Sequence, residues 1–158
     1  MPPSLSSYPL DSKVRTPAVK QTVRLEALRH VGLFKGVSKR SLVKVDQMSE
    51  VRTVGQGEVI VAEGESGSDT MIVLAGTASV ARGNRKVAEL TVGQVFGEMA
   101  LLDRQPRSAT VTAVEPMQLL VIHGAEFRKL LTKVPGLADS LLATLSRRLR
   151  EADAIHDF

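Results

Sequence analysis

The sequence predicts a mainly β protein with flanking helices, built as an antiparallel sandwich or jelly roll. Three observations predict it. Between residues 51 and 122, short runs rich in Val, Ile and Thr recur at the roughly 8–12-residue spacing of sandwich strands. Glycine-containing turns separate these runs, and no helical pattern intervenes, which argues against a βαβ sheet. On both sides of this tract, apolar residues return at helical spacing.

The elements follow in order. Residues 1–17 are rich in Pro and Ser and read as a flexible N-terminal arm, and residues 18–155 form the domain proper. A helix is expected from about Val19 to His30, with Val23, Leu25, Leu28 and Val31 as its apolar face and Gly32 as its stop. Leu33 and Phe34 make an apolar knuckle. Ser38 caps a second short helix that turns Leu42, Val43 and Val45 inward. The β tract, about 50–122, contains VRTV at 51–54, VIVAEG at 59–64, TMIVLAG at 70–76, TASVAR at 77–82 and KVAEL at 86–90. QVFG at 94–97, SATVTAV at 108–114 and MQLLVI at 117–122 complete it. Gly83-Asn84 is a hairpin tip, and the polar ESGSD run at 65–69 is a turn. C-terminal helices are expected over about 124–154. The first carries Phe127, Leu130 and Leu131 and ends at Pro135-Gly136. The second runs from Leu137 to Asp153 with a stripe of Leu141, Leu142, Leu145 and Leu149, and with Arg147, Arg148 and Arg150 on its wet face.

Composition bounds the function. At 158 residues the chain is one domain with a sizeable core. Aromatic residues are only 3% and Trp is absent, so that core is aliphatic. The net charge of +4, from 21 basic and 17 acidic residues, favours weak attraction to anions and gives no argument for a nucleic-acid binder. Absence of cysteine excludes disulfides, thiol catalysis and cysteine–metal sites. The N-terminus lacks the pattern of a secretory signal, and no apolar run is long enough to span a membrane. These features together give a cytoplasmic expectation.

The stretch FGEMALLDRQPRSATV at 96–111 is the most informative. Gly97 lets backbone approach a ligand. The EMALL that follows can form a short helix with free N–H groups for an anion. Glu98 can accept hydrogen bonds from ribose or another diol; a plain charge at a helix N-terminus is the simpler reading. Arg107, after the rigid Pro106, can pair bidentately with a phosphate; a surface arginine is the simpler reading there. Their joint occurrence with Gly97 and Ser108, in this order, favours a compact anion that carries a sugar hydroxyl.

On these residues the chain resembles the cyclic-nucleotide-binding domain family, found in bacterial cyclic-AMP-responsive regulators, kinase regulatory subunits and gated channels. The likeness covers roughly Leu28 to Asp153 and is strongest in the phosphate-binding cassette just quoted. The stretch EGESGSDTMIVLAGTASV at 63–80 supports it. The resemblance implies an eight-stranded antiparallel jelly roll (a double-stranded β-helix), with N-terminal helices and a C-terminal lid helix. It implies that the cyclic phosphate lies in the cassette, among Phe96, Gly97, Glu98, Met99, Ala100, Arg107, Ser108 and Ala109. Arg107 would contact the exocyclic oxygens, and Glu98 would accept the ribose 2′-hydroxyl. Backbone N–H groups near Ala100 and Ser108 would complete the cradle, and Val87 and Leu90 would line the base side.

Cyclic AMP is the expected ligand, with cyclic GMP the alternative. In bacterial members a Thr-Ser pair late in the last helix contacts adenine; here Ala152 and Asp153 stand in its place. An enzyme is not expected. His30, His123 and His156 are scattered, and Glu98 and Asp103 lack a nucleophile. Glu63, Glu65 and Asp69 lack the ligand series of a calcium loop, so no metal and no catalytic cofactor are expected. Direct DNA binding is not expected either, since no groove-reading module follows the last helix. The expected role is a sensor that relays occupancy through its C-terminal helix to a second copy, a downstream protein or a tethered effector. A non-sensory interaction or dimerisation module with an unused pocket is the alternative.

Overall fold

β-branched runs bounded by glycine turns pair into two sheets of four strands each. In the computed structural model, which describes residues 18–156, the strands are β1 (Glu50–Val54), β2 (Val59–Val61), β3 (Thr70–Ala75), β4 (Ala78–Arg82), β5 (Arg85–Leu90), β6 (Val95–Phe96), β7 (Thr110–Ala113) and β8 (Met117–Ile122). One sheet has the order β1-β8-β3-β6 and the other β2-β7-β4-β5, with all pairings antiparallel. This is the eight-stranded jelly roll expected. The helices are α1 (Gln21–Arg29), α2 (Lys39–Met48), α3 (Gly124–Lys133) and α4 (Leu137–His156), with short 3-10 turns at Gly32–Phe34 and Glu98–Leu101. The proposed arm at 1–17 lies outside the described residues, as do the side chains of Met99 and residues 153–156.

β3 and β8 hold the molecule together because both of their faces are buried. Side chains alternate across a strand. Met71, Val73, Leu119 and Val121 therefore pack between the sheets with Val54, Val111 and Ala113. Ile72, Leu120 and Ile122 point the other way, into a second cluster made with the helices. That cluster contains Leu28, Leu33, Phe34, Leu42, Phe127, Leu137 and Leu141. Its two aromatic rings, Phe34 and Phe127, meet at 5.6 Å and tilt by 44°, within the range of favourable aromatic pairs.

The helices depart from expectation in three places. Val23 is 48% exposed, and Ala27 takes its place on the buried face of α1. The leucine stripe of α4 divides: Leu141 is buried, whereas Leu142 and Leu149 are 61% and 64% exposed. A rotation of about 100° per residue explains this, since it sets Leu142 and Leu149 on a flank well away from Leu141. Arg148 also leaves the wet face; its side chain is 40% exposed and paired with Glu98. Ser38 does cap α2, accepting from Ser41 N at 3.2 Å. No helix among the described residues is long and apolar enough to cross a membrane.

One ion pair fixes α1 to α2. Arg24 Nε donates to Asp46 Oδ1 at 2.6 Å and Nη2 donates to Oδ2 at 3.0 Å, while Nη1 donates to Val19 O. The Asp46 side chain is 2% exposed and that of Arg24 27%. The hydrogen bonds to Asp46 raise the Arg24 pKa above its usual value; burial opposes the rise, and the Asp46 charge adds to it. A cation with a raised pKa contributes its stability at every pH below its ordinary value and loses it only above. Arg24 therefore brings no pH dependence near neutrality. Arg24→Ala leaves the Asp46 carboxylate buried without its partner, and should cost about 3 kcal/mol in urea unfolding at neutral pH. A loss below about 1 kcal/mol would show that the pair behaves as an exposed one.

Candidate functional site

β2 ends at Val61, earlier than the sequence suggests, and this frees residues 62–69 to fold against the cassette. The two segments are stitched together. Gly64 N donates to Arg107 O at 2.9 Å, and Arg107 N donates to Glu65 O at 2.8 Å. Ser66 and Pro106 form an isolated antiparallel bridge, and Glu63 N donates to Thr110 Oγ1 at 3.0 Å. The backbone of Arg107 is thus fixed before any ligand arrives.

Its guanidinium is held just as firmly. Nη2 donates to Asp69 O at 2.9 Å. Two glycines make room for the group. A Cβ on Gly67 would stand 2.5 Å from both Nε and Nη2, and a Cβ on Gly97 would stand 2.5 Å from Nη1 and 2.7 Å from Asp69 O. Gly97 also has φ of +75°, in the left-handed region that glycine tolerates. Thr70 Oγ1 donates to Gly97 O at 2.6 Å and locks that turn. Among the described residues Arg107 has no carboxylate partner and no other side-chain hydrogen bond. The result is a rigid, unneutralised cation with donors to spare.

Asp69 connects this cation to α3. Its carbonyl takes Arg107, while its carboxylate accepts from Gly124 N at 3.3 Å and lies 3.3 Å from His123 Nδ1. The other ring nitrogen of His123 lies 3.2 Å from Glu50 Oε1.

Glu98 opens the 3-10 turn of the cassette. Its Oε1 accepts from Leu33 N at 2.6 Å and from Arg148 Nη2 at 3.2 Å. Ala100 N donates to Gly97 O at 3.0 Å, so this N–H is engaged within the turn rather than free for an anion.

These groups border a cavity of about 600 Å³, a size suited to a small organic ligand. Glu98, Asp103, Gln105, Arg107 and Ser108 supply its polar lining, with Gly97 and Pro106 beside them. Val61, Val80, Ala88, Leu90 and Val111 supply an apolar wall, and Val95 and Phe96 close one side. Such a cavity takes an anionic group at one end and a flat, weakly polar ring at the other. Ala100 and Ala109 also line it. Of the residues read from the sequence whose side chains are described, Val87 stands apart. It is 47% exposed, because β5 alternates and turns Ala88 and Leu90, not Val87, to the cavity. Met99 sits in the 3-10 turn with its side chain outside the described set. Ala152 is exposed on α4.

Sequence reasoning missed Gly67, Asp69, Ala88 and Arg148. The glycine within ESGSD carried a weak signal, a turn residue among polar ones. Asp69 acts partly through its carbonyl, which no side-chain pattern reveals. Arg148 is one of three arginines in four residues, and only packing separates it from the other two.

A family model described as the cyclic nucleotide-binding domain matches residues 51–134. The chain is 40% identical over 125 residues to a cyclic nucleotide-gated potassium channel of Mesorhizobium japonicum, covering 78% of this chain and 35% of the channel. It is 35% identical over 126 residues to the cyclic AMP receptor protein of Thermus thermophilus, covering 77% of this chain and 58% of the receptor. The chain therefore spans only part of the length of either relative. The crystal structure of the N-terminal domain of a Streptomyces coelicolor transcriptional regulator superposes with a TM-score of 0.76 at 26% identity, covering 81% of this chain and 95% of that one.

The glycine cradle gives a sharp expectation. Gly67 lies outside the positive-φ set, so Gly67→Ala strains no backbone and acts only by displacing the Arg107 guanidinium. The variant should lose less than about 1 kcal/mol of stability while its affinity for a cyclic nucleotide falls about tenfold or more. Unfolding curves and calorimetric titration on the same sample check both.

Proposed function

This chain belongs to the cyclic nucleotide-binding domain family, and we propose that it is a sensor whose ligand is cyclic AMP. The observation that carries the reading is Arg107: an immobilised cation with no carboxylate partner among the described residues, at the polar end of a cavity with apolar walls. A cyclic phosphodiester brings one negative charge and two exocyclic oxygens, which matches the donors that Arg107 leaves unused. The purine then lies along Val61, Val80, Ala88 and Leu90. Glu98 accepts the ribose 2′-hydroxyl.

Nothing in this arrangement cleaves the ligand. Hydrolysis of the phosphodiester needs a metal or a strong base near phosphorus, and the group beside it is a guanidinium. Among the described residues no cluster of three or more His, Cys, Asp or Glu could hold a metal ion. The chemistry is recognition, and the output is a change of shape.

The output runs through α4. Leu137 and Leu141 anchor its first turns in the helical core, and Thr144 Oγ1 lies within hydrogen-bonding distance of both Ser140 O (3.1 Å) and Lys35 O (3.2 Å). Ligand contact at the cassette shifts the balance between two positions of this helix, provided the ligand binds them unequally. The exposed Leu142 and Leu149 offer an apolar flank on α4 to a second copy or to an effector.

Cyclic AMP is preferred to cyclic GMP because the similar Thermus protein is named for cyclic AMP. Arg107→Ala should weaken cyclic AMP binding by about 2–5 kcal/mol, or about 30-fold and upward. Glu98→Ala should weaken it as well. Calorimetric titration with both nucleotides is the measurement. An Arg107→Ala variant that binds as tightly as the parent removes the proposed site, and tighter binding of cyclic GMP than cyclic AMP selects the alternative ligand.

A further inference from the structure

α3 begins without a cap of its own. Its N-cap residue is His123, whose side chain makes no capping hydrogen bond. The N–H of Gly124 is taken instead by Asp69 Oδ1 at 3.3 Å, from the end of the 62–69 loop. Gly124 makes this approach possible. A Cβ there would stand 2.3 Å from Ser68 O and 2.7 Å from Ser68 Cβ. The loop that holds Arg107 is therefore seated directly on the start of α3, and its carboxylate satisfies a backbone donor that the helix leaves free.

His123 closes this seat from the side. Its Nδ1 lies 3.3 Å from Asp69 Oδ2, and its Nε2 lies 3.2 Å from Glu50 Oε1 on β1. Three segments thus meet at one imidazole: β1, the loop ahead of β3 and α3. Both ring nitrogens face carboxylate oxygens, and an ionised carboxylate only accepts. The imidazolium donates to both. A neutral imidazole has one N–H, so it donates to one carboxylate and turns a lone pair toward the other. The other charged groups about the ring, among the described residues, are Arg52 and Glu126. Arg52 Nη2 donates to Glu50 Oε1 at 3.3 Å, and Glu126, in the first turn of α3, accepts from Lys129 at 3.4 Å. The His123 side chain is 33% exposed, open enough to exchange its proton with solvent.

We infer that His123 is a positioning residue for Arg107, and that its protonation sets how tightly the cavity holds its anion. The inference rests on the reading of Arg107 given above. Asp69 is the link. Its carbonyl holds the guanidinium at 2.9 Å, while its two carboxylate oxygens face Gly124 N and His123. With the imidazolium in place, the side chain and backbone of Asp69 are fixed together, and Arg107 is ordered before the ligand arrives. Loss of the proton frees one carboxylate oxygen and returns part of that ordering cost to binding. Histidine is the side chain whose charge changes between about pH 5 and about pH 8, a range over which a cyclic phosphodiester keeps its single charge. The protonated form binds the anion more tightly. Affinity is therefore highest at the acid end and falls as pH rises, and binding takes up protons.

Cyclic AMP is titrated calorimetrically into the parent chain, His123→Gln and Asp69→Asn at about pH 5.5 and about pH 8. Glutamine offers the same N–H donor at every pH. Asparagine keeps the backbone carbonyl for Arg107 and an oxygen for Gly124 N, and removes only the charge that faces His123. In the parent, Kd should rise about fivefold or more across the range. In either variant it should change by about twofold or less. Parent titrations midway through the range, repeated in buffers of different ionisation enthalpy, should show proton uptake on binding, and His123→Gln should show none.

The failures are distinguishable. A parent chain that binds no cyclic AMP at either pH overturns the cyclic AMP reading of the cavity, and this inference with it. A parent that binds equally well at both ends of the range overturns only the role of His123. A pH dependence that survives His123→Gln belongs to another group and overturns it too. A dependence lost in His123→Gln but kept in Asp69→Asn shows the imidazolium acting by its charge through space, and removes the positioning role. Tighter binding at the alkaline end reverses the sign and overturns the inference as well.

Discussion

A guanidinium without a carboxylate partner has to be held by dipoles, and in this protein Asp69 O holds that of Arg107 at 2.9 Å. Desolvating a charge is costly unless hydrogen bonds compensate. The structure meets that cost with one carbonyl and with close backbone approach at two glycines. Everything near the cavity follows from this arrangement. β2 must end early so that the loop 62–69 can reach Arg107. Gly97 must adopt φ of +75° so that the cassette can pass close to Asp69 O. A carboxylate at the same place would neutralise the cation and remove the reason for an anion to bind.

The rigidity of this site comes from the centre of the sandwich. β3 and β8 are buried on both faces, so a slip of one residue would exchange the inter-sheet set for the helix-facing set. That constraint fixes where Thr70 begins β3, and hence where Asp69 presents its carbonyl. The same residue reaches the start of α3 through its side chain. The Arg107 side of the cavity and the helical layer are therefore joined through a single position.

The surroundings of Glu98 are built differently. Glu98 is held by a backbone N–H from one helical turn and by a side chain from α4. A backbone donor in a packed turn moves little, whereas an arginine on a helix anchored mainly through its first turns can move with that helix. Arg107 is thus tied to the sandwich, and Glu98 to the helical layer.

Much of this was legible in the sequence because it rests on local rules. The strand period, the glycine turns and the Ser38 cap all speak through neighbouring residues, and the structure keeps each of them. The face of β5 was misread at Val87, because a five-residue run of mixed residues does not say which alternate set meets a cavity. The division of the α4 leucines, the carbonyl role of Asp69 and the empty side of Gly32 were not legible at all. Each depends on what a distant segment places opposite. The sequence by itself determined the class of fold and named polar groups that the structure brings to one cavity. Tertiary structure alone decided which glycines yield to an arginine and which arginine on α4 meets Glu98, because these contacts, Gly97 with Arg107 apart, join segments some 40 to 116 residues distant in the chain.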